Sequence, residues 1–133
     1  MAYPTEYRYT KEHEWIVVED GIATIGITDY AQHELGDVVF VELPKAGAKL
    51  MAGKVFGSVE SVKAVSEIFA PASGNLVEAN AALQDKPETL NTDPHSAGWL
   101  VKVKLTNPAE LSSLLDAAAY EAFVAEKQKE ASS

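Results

Sequence analysis

The sequence GSVESVKAVSEIFAPASGNLVEAN, residues 57–80, decides the fold of this chain. Two β-prone arms are found here, at residues 55–62 and 65–70. They meet at a short polar tip with Lys63 at its apex, and the tip lacks the Gly or Asn of a two-residue primed turn. A lysine at a hairpin tip stands away from the sheet core, where another protein can reach its amine. We therefore predict a β-hairpin that displays Lys63 for modification.

The residues beside the lysine favour modification over an ordinary solvated side chain. Most lysines between two strands are simply exposed to water. Here Ala64 leaves clearance next to the amine, and Glu60 and Glu67 place negative charge on both sides of the tip. Three valines of the arms are expected to pack and to hold the hairpin rigid, namely Val59, Val62 and Val65.

Length and charge describe a single acidic domain. The chain has 133 residues, of which 47% are hydrophobic, so a domain covering residues 1–133 can build a core. The formal net charge of −9 argues against nucleic-acid and anionic-membrane surfaces, which need clustered Lys and Arg. Positively charged partner surfaces are the better match.

The sequence shows no membrane or export signal and no sulfur chemistry of its own. It contains no run of eighteen apolar residues, and its start, MAYPTEYR, resembles neither a secretory signal nor a transit segment. We expect a cytoplasmic protein, although a mature organellar form would have the same features. Cysteine is absent, which excludes disulfides, Cys-ligated zinc and a thiol nucleophile.

Periodicity and turn residues predict a mainly β chain with small helices. Asp20-Gly21 marks a hairpin turn between the first two long strands. Thr28 and Gly36 stand where the caps of a short helix over residues 29–35 would lie. Strands are predicted at residues 15–18, 22–27, 38–43, 55–62, 65–70, 76–79 and 99–105.

The end of the chain predicts helices. Asn107, Pro108 and Glu110 have the order of an N-cap, a first-turn proline and a capping-box acid. Asp116 is expected to start a second helix. We predict a C-terminal helical segment over about residues 107–127, with a charged tail that frays from residue 126 onward.

Metal and phosphate sites are not indicated. His13, His33 and His95 are scattered without the spacing of a zinc helix, and His13 is expected at a strand edge. The segment GAKLMAGK, residues 47–54, has five residues rather than four between its glycines, and Val55 stands where a phosphate loop needs Ser or Thr. No Gly-x-Ser-x-Gly motif is present. We predict no catalytic residues and no metal.

Several motifs together resemble the H-protein family of the glycine cleavage system. The run ESVKAVSEIFAPASG, residues 60–74, is similar to the lipoylation loop of that family. The similarity continues in order through HEW at 13–15, TIGITDYAQ at 24–32, LGDVVFVELP at 35–44 and GWLVKV at 98–103. The resemblance implies an α+β barrel-sandwich hybrid of two antiparallel sheets, with the lysine hairpin, a short helix after the second strand and C-terminal helices.

The resemblance also implies a non-catalytic carrier with lipoic acid joined to Lys63. In the family, a pyridoxal-phosphate glycine decarboxylase (P protein) passes the aminomethyl group of glycine to the arm. A folate-dependent aminomethyltransferase (T protein) removes it, and dihydrolipoamide dehydrogenase (L protein) reoxidises the arm. Lipoate-attaching enzymes are further implied partners. We expect no nucleic acid, no membrane and a monomer.

A loaded arm benefits from a dry groove and from a carboxylate that holds its ammonium group. The family positions that shelter the arm correspond here to Glu12, Glu14, Ile27, Glu34, Ala64 and Glu67. Glu14 is the principal candidate for the carboxylate. Some relatives place Asp-His where this chain has His33-Glu34, and Asp where it has Glu67, which argues against an imidazole contact from the helix.

Three other kinds of protein could use a lysine hairpin of this type. A lipoyl domain of a 2-oxo acid dehydrogenase typically has Asp-Lys-Ala at the tip and lacks the HEW strand and the C-terminal helices. A biotin carrier would have methionines on both sides of the lysine, where this chain has Val62 and Ala64. A binding module of the same fold, acting in lipoate relay to other enzymes, stays open at this point.

Overall fold

The structure is a computed structural model that describes residues 3–132, so positions 1, 2 and 133 of the predicted domain lie outside it. It is mainly β with small helices, as predicted. The strands are β1 Arg8–Tyr9, β2 Glu14–Glu19, β3 Ile22–Ile27, β4 Val38–Glu42, β5 Lys49–Leu50, β6 Val55–Ser61, β7 Val65–Phe69, β8 Gly74–Ala79 and β9 Val101–Leu105. The α-helices are α1 Asp29–Leu35, α2 Ala82–Asp85, α3 Thr89–Thr92 and α4 Ala117–Ser132, with a 3₁₀-helix at Pro108–Ser113.

The strands form two antiparallel sheets. The larger has the order β1-β2-β3-β9-β8-β5 and the smaller the order β4-β6-β7. One apolar core includes buried side chains from both sheets, among them Ile25, Val41, Val59, Ile68 and Val103. This arrangement confirms the predicted fold class.

The β2–β3 hairpin and α1 follow the local signals of the sequence. Asp20 and Gly21 have φ values of 53° and 78°, the paired positive angles of a type I′ turn. The Thr28 hydroxyl accepts a hydrogen bond from the backbone of Ala31 at 3.2 Å, which caps α1. Gly36, at φ 80°, ends the helix by donating its N–H to the carbonyl of Gln32 at 3.0 Å.

The predicted lysine hairpin is present as β6, a tip and β7, but its valines divide differently from the prediction. Val59 is fully buried, whereas Val62 and Val65 are 70% and 66% exposed. Strand side chains alternate between the two faces of a sheet, and Val65 is paired with Glu60 on the face opposite that of Val59. Only Val59 therefore packs in the core, and the expectation for the other two was wrong.

The C-terminal helices differ in detail from the prediction. Asn107 makes no side-chain cap, and the Glu110 carboxylate instead accepts from the backbone N–H of Ser73 at 2.7 Å and from its hydroxyl at 3.0 Å. The capping-box interpretation was therefore wrong. Asp116 does cap α4, since its carboxylate accepts from the backbone of Ala119 at 2.8 Å. The helix continues through Ser132, beyond the predicted end near residue 127.

The long C-terminal helix α4 closes one side of the larger sheet. Its buried residues Tyr120 and Val124 share a second apolar cluster with Tyr9 and Trp15. None of the helices within residues 3–132 is long and apolar enough to cross a membrane.

Candidate functional site

The tip of the β6–β7 hairpin is a four-residue turn shaped by one serine hydroxyl. Ser61, 5% exposed, accepts hydrogen bonds through Oγ from the backbone N–H groups of Lys63 at 3.3 Å and Ala64 at 3.1 Å. Its own N–H donates to the carbonyl of Ala64 at 2.8 Å. The tip is also tied to the loop before β4, because Val62 N–H donates to the Asp37 carbonyl at 3.0 Å. The turn therefore needs no residue with positive φ.

Lys63 is exposed at this tip, and its stem lies over the end of α1. A Cβ placed on Gly36 would stand 3.3 Å from Lys63 Cε and 4.0 Å from Nζ. In the part of the chain that the structure describes, no carboxylate lies within 4.0 Å of Nζ. The amine is therefore displayed without an ion pair, while the aliphatic stem is directed along the helix end.

A groove of about 160 Å³ begins one residue before Gly36, between α1, β7 and the turn before β2. Its inner side chains are apolar: Ile27, Ala31, Leu35 and Ile68. Its exposed side chains are acidic: Glu12, Glu34 and Glu67. Four of the predicted arm-sheltering residues, Glu12, Ile27, Glu34 and Glu67, are thus brought together in one groove.

Glu14 and Ala64 are not part of the groove lining. Ala64 is exposed at the tip beside Lys63. Glu14 is only 2% exposed, and its carboxylate accepts from the Thr10 hydroxyl at 2.5 Å and from the backbone N–H of Phe69 at 3.2 Å. Burial raises the pKa of Glu14 to about 7, although both hydrogen bonds act to lower it. The carboxylate therefore joins β2 to the edge strand β7 behind the groove.

The three histidines do not converge. His33 is on α1 with 74% of its side chain exposed, 3.7 Å from the Asp29 carboxylate. His95 accepts from the backbone N–H of Asp29 through Nε2 at 3.0 Å. Among the described residues, no group of three or more His, Cys, Asp or Glu side chains is placed to hold a metal ion.

His13 is a groove residue that the sequence did not reveal. It has a φ of 72° and precedes β2, so the expectation of a strand edge was wrong. Its ring lies 4.6 Å from that of Tyr30, and its Nδ1 lies 2.8 Å from the Tyr120 hydroxyl. Tyr120 is 107 residues away in the chain, and nothing in the local pattern indicates this contact.

Hydrogen bonds through the Tyr120 hydroxyl connect Thr28 to His13. The Thr28 hydroxyl oxygen accepts from Ala31 N–H and lies 2.7 Å from the Tyr120 hydroxyl. Every proton then has an acceptor if Thr28 donates to Tyr120 and Tyr120 donates to His13 Nδ1. Burial raises the pKa of Tyr120 and lowers that of His13, so the hydroxyl keeps its proton and the imidazole is neutral. In that arrangement His13 carries its hydrogen on Nε2, and Tyr120 of α4 orients the His13 ring at the wall of the groove.

Comparison with known proteins points to one family. The model of the family described as "Glycine cleavage H-protein" matches residues 7–127. A glycine cleavage system H protein of Acidobacterium capsulatum is 60% identical over 127 residues, covering 96% of this chain and 98% of the relative. One from Staphylococcus epidermidis is 52% identical over 126 residues, covering 95% and 100%. The crystal structure of a glycine cleavage system H protein from Mycobacterium marinum superposes with a TM-score of 0.82 at 45% identity, covering 89% of this chain and 95% of that one.

Proposed function

Because this chain belongs to the glycine cleavage H-protein family, a family of lipoyl carriers, we propose that it carries lipoic acid as an amide on Lys63 Nζ. The proposal is carried by an unpaired lysine amine at the apex of a tight hairpin tip, whose stem lies beside Gly36 at the end of α1, next to the groove residue Leu35. An apolar chain extending from Nζ would meet the apolar side of that groove, so the residues present fit the group. The protein is then a carrier subunit and not a catalyst.

When attached, a lipoyl group would supply a disulfide that is reduced as one sulfur takes up the aminomethyl group of glycine on the P protein; removal of that group by the T protein would leave a dithiol, which the L protein would oxidise back to the disulfide. The chain itself supplies position and shelter. Ser61 holds Lys63 in one turn geometry, and Gly36 leaves room for the lysine stem.

The groove is suited to exclude water and to hold a cation. Ile27, Leu35 and Ile68 are each at most 8% exposed and form an apolar surface that keeps water from a bound chain. The carboxylates of Glu12, Glu34 and Glu67 surround that surface and would attract an ammonium group.

Glu14 has a different part in this proposal. Its carboxylate is occupied by two donors and holds β7 against β2, so it positions the groove wall that contains Ile68. An ammonium in the groove would interact with it mainly through the low-dielectric interior.

Docking to the partner enzymes is expected to depend on charge. The chain has a formal net charge of −9, and conversion of the Lys63 ammonium to an amide removes one further positive charge. Attraction to basic patches on the partner enzymes would speed association and weaken as salt rises. The partner set follows from the family, and the monomeric state is an expectation from small size and high charge.

The proposed function is tested by glycine decarboxylation with purified P protein. Lipoylated wild-type chain should support the release of carbon dioxide from glycine, and Lys63→Arg should not. Arginine keeps the positive charge and the exposed position, so the melting temperature should stay unchanged and serve as the folding control. Full activity of Lys63→Arg would refute the proposal.

A second test addresses the groove. Changing Glu12, Glu34 and Glu67 together to Gln should speed the loss of ammonia and formaldehyde from the loaded protein, because the ammonium is then less well held. Glu14→Gln, measured alongside, shows whether the buried carboxylate contributes to the same retention. If the triple variant loses ammonia and formaldehyde at the wild-type rate, the carboxylates of Glu12, Glu34 and Glu67 do not hold the ammonium group.

A further inference from the structure

A second groove lies at the end of β6 opposite Lys63, and its charge is opposite to that of the whole chain. It has a volume of about 280 Å³, and we call it the basic groove. Its lining includes two lysines and two exposed apolar residues, Lys49, Lys54, Met51 and Val55. Nothing in lipoyl carriage requires it.

Its positive charge is local and uncompensated. Residues 43–59 contain Lys45, Lys49 and Lys54 and no acidic residue, in a chain whose formal net charge is −9. Within residues 3–132, no carboxylate lies within 4.0 Å of the ammonium group of any of these lysines. The basic groove is therefore a positive patch on an otherwise acidic protein.

The strand register adds a further ammonium group to this face. Lys49 on β5 is opposite Asn75 on β8, and Asn75 is opposite Lys104 on β9. Directly opposed residues in antiparallel strands share a face, so Lys104 stands about 10 Å from Lys49, two strand spacings away. All three side chains are exposed. The positive patch thus extends from the basic groove across the outer strands of the larger sheet.

The basic groove also exposes apolar side chains beside its charges. Met51 is 63% exposed and Val55 is 45% exposed, so both present apolar surface to water beside the lysines. Strand β5 is the edge of the larger sheet, with β8 as its sheet neighbour on one side. The surface therefore combines three features that together suit a protein segment: an open edge, apolar contacts and ammonium groups.

We propose that the basic groove docks an acidic segment of a partner protein that also presents an apolar side chain. Two or three carboxylates would match the lysines at hand, and Met51 and Val55 would cover the apolar side chain. A nucleic acid or an anionic membrane fits less well, because a long polyanion would meet the rest of this acidic chain and be repelled by it.

The basic groove is far enough from Lys63 for both to be used at once. Val55 and Lys63 are separated by eight residues along the hairpin, a span of about 25 Å at the rise of a strand. A partner bound at the basic groove would leave the tip free. The docked segment would hold the carrier next to the partner protein while Lys63 and its arm stay free to reach a site on that partner. This tethering would raise the effective concentration of the arm at that site.

The test is a titration of the full-length, unmodified ¹⁵N-labelled chain, followed by NMR, with two synthetic peptides. One alternates Glu and Leu, and the other alternates Glu and Ser. We expect the Glu-Leu peptide to shift the amides of residues 45–56 and to bind at least about tenfold more tightly than the Glu-Ser peptide, a difference of about 1.4 kcal/mol. Binding should weaken as salt rises. Since Lys63 is unmodified throughout, failure of this test leaves the carrier proposal untouched.

Matched variants separate local recognition from net charge. Lys54→Glu should weaken binding of the Glu-Leu peptide by at least about tenfold. Lys86→Glu makes the same charge change at another exposed lysine and should have little effect. Val55→Thr should weaken binding, and Val39→Thr, at a strand valine of 48% exposure near the other end of β6, should not.

Three results would overturn the proposal. The first is equal weakening by Lys86→Glu and Lys54→Glu. The second is equal binding of the Glu-Leu and Glu-Ser peptides. The third is tighter binding of phosphatidylglycerol vesicles or of a single-stranded oligonucleotide than of either peptide at residues 45–56.

Discussion

The joint between the two sheets and the tip of the β6–β7 hairpin are each held by one buried side chain that accepts hydrogen bonds. The acceptor at the joint is the ionisable carboxyl group of Glu14, and the acceptor at the tip is the neutral hydroxyl group of Ser61. Glu14 accepts hydrogen bonds from the Thr10 hydroxyl and from the backbone N–H of Phe69, and so joins the two sheets behind the groove. Ser61 Oγ accepts hydrogen bonds from the backbone N–H groups of Lys63 and Ala64 at the tip. The comparison shows that the joint between the sheets depends on an ionisable group, whereas the tip that presents the lysine depends on a neutral one. Acidity should therefore act on the first and not on the second.

The largest effect is expected from Glu14→Gln. The pKa of Glu14 is raised from 4.5 to about 7, so the folded protein holds this proton more tightly than the unfolded chain does. Its contribution to stability is complete below pH 4.5 and is lost as the pH rises through 7. The shift corresponds to about 3 kcal/mol, most of which should disappear between pH 5 and 8. Urea unfolding of both proteins at several pH values measures it.

The difference between wild type and Glu14→Gln isolates this carboxyl group from the other titrating residues. Burial lowers the pKa values of His13 and His95, and their effect on stability is common to both proteins. Wild type should lose stability relative to the variant as the pH rises. Parallel stability curves over this range would show that Glu14 does not titrate as the structure indicates.

An intermediate effect on stability is expected from Gly36→Ala, at the end of α1 beside the Lys63 stem. Gly36 has φ 80° and ψ −157°, a conformation that is almost confined to glycine, so an alanine should cost about 1–3 kcal/mol. Its Cβ would also stand 3.3 Å from Lys63 Cε and displace the flexible lysine stem. Thermal unfolding measures the first effect, and the rate of Lys63 lipoylation measures the second.

Gly21→Ala is the matched control for that variant. Gly21 has φ 78° and no atom within 4 Å of an added Cβ, so it tests backbone strain alone. It should destabilise the protein without changing the rate of Lys63 lipoylation. If both variants slow lipoylation equally, the helix end does not direct the lysine stem.

The smallest effect on stability is expected from Ser61→Ala. Two backbone N–H groups lose an acceptor at an exposed tip where water can replace it, so the loss should be about 1 kcal/mol and independent of pH. Amide hydrogen exchange at Lys63 and Ala64 should become faster. Ser58→Ala in the same strand is the control. Unchanged exchange at the tip would mean that the serine does not shape the turn.

Much of the fold could be predicted because its signals are local. The Asp20-Gly21 turn and the Thr28 and Gly36 caps depend on residues within a few positions of one another, and each is found where the sequence places it. The tip could have been defined further, since Ser61 is two and three residues before the N–H groups that it accepts. A serine that begins a turn of this kind is a recognised local pattern.

The parts that could not be predicted depend on partners far apart in the chain. The acid at Glu110 resembles a capping box, but the donors of Ser73, 37 residues away, determine its contact. Likewise, Phe69 is 55 residues from the Glu14 carboxylate that it binds. A sequence pattern can nominate a carboxylate for a groove, but only the packing of the two sheets decides whether it lines the surface or is sealed behind it.

Lipoylation of Lys63 is tested by the mass of the chain purified from cells that lipoylate their own proteins. Intact-mass and peptide mass spectrometry should find one lipoyl group, on the peptide that contains Lys63, and none on Lys63→Arg. A lipoyl group on another lysine, or an unmodified chain in cells whose other carriers are lipoylated, would contradict the account.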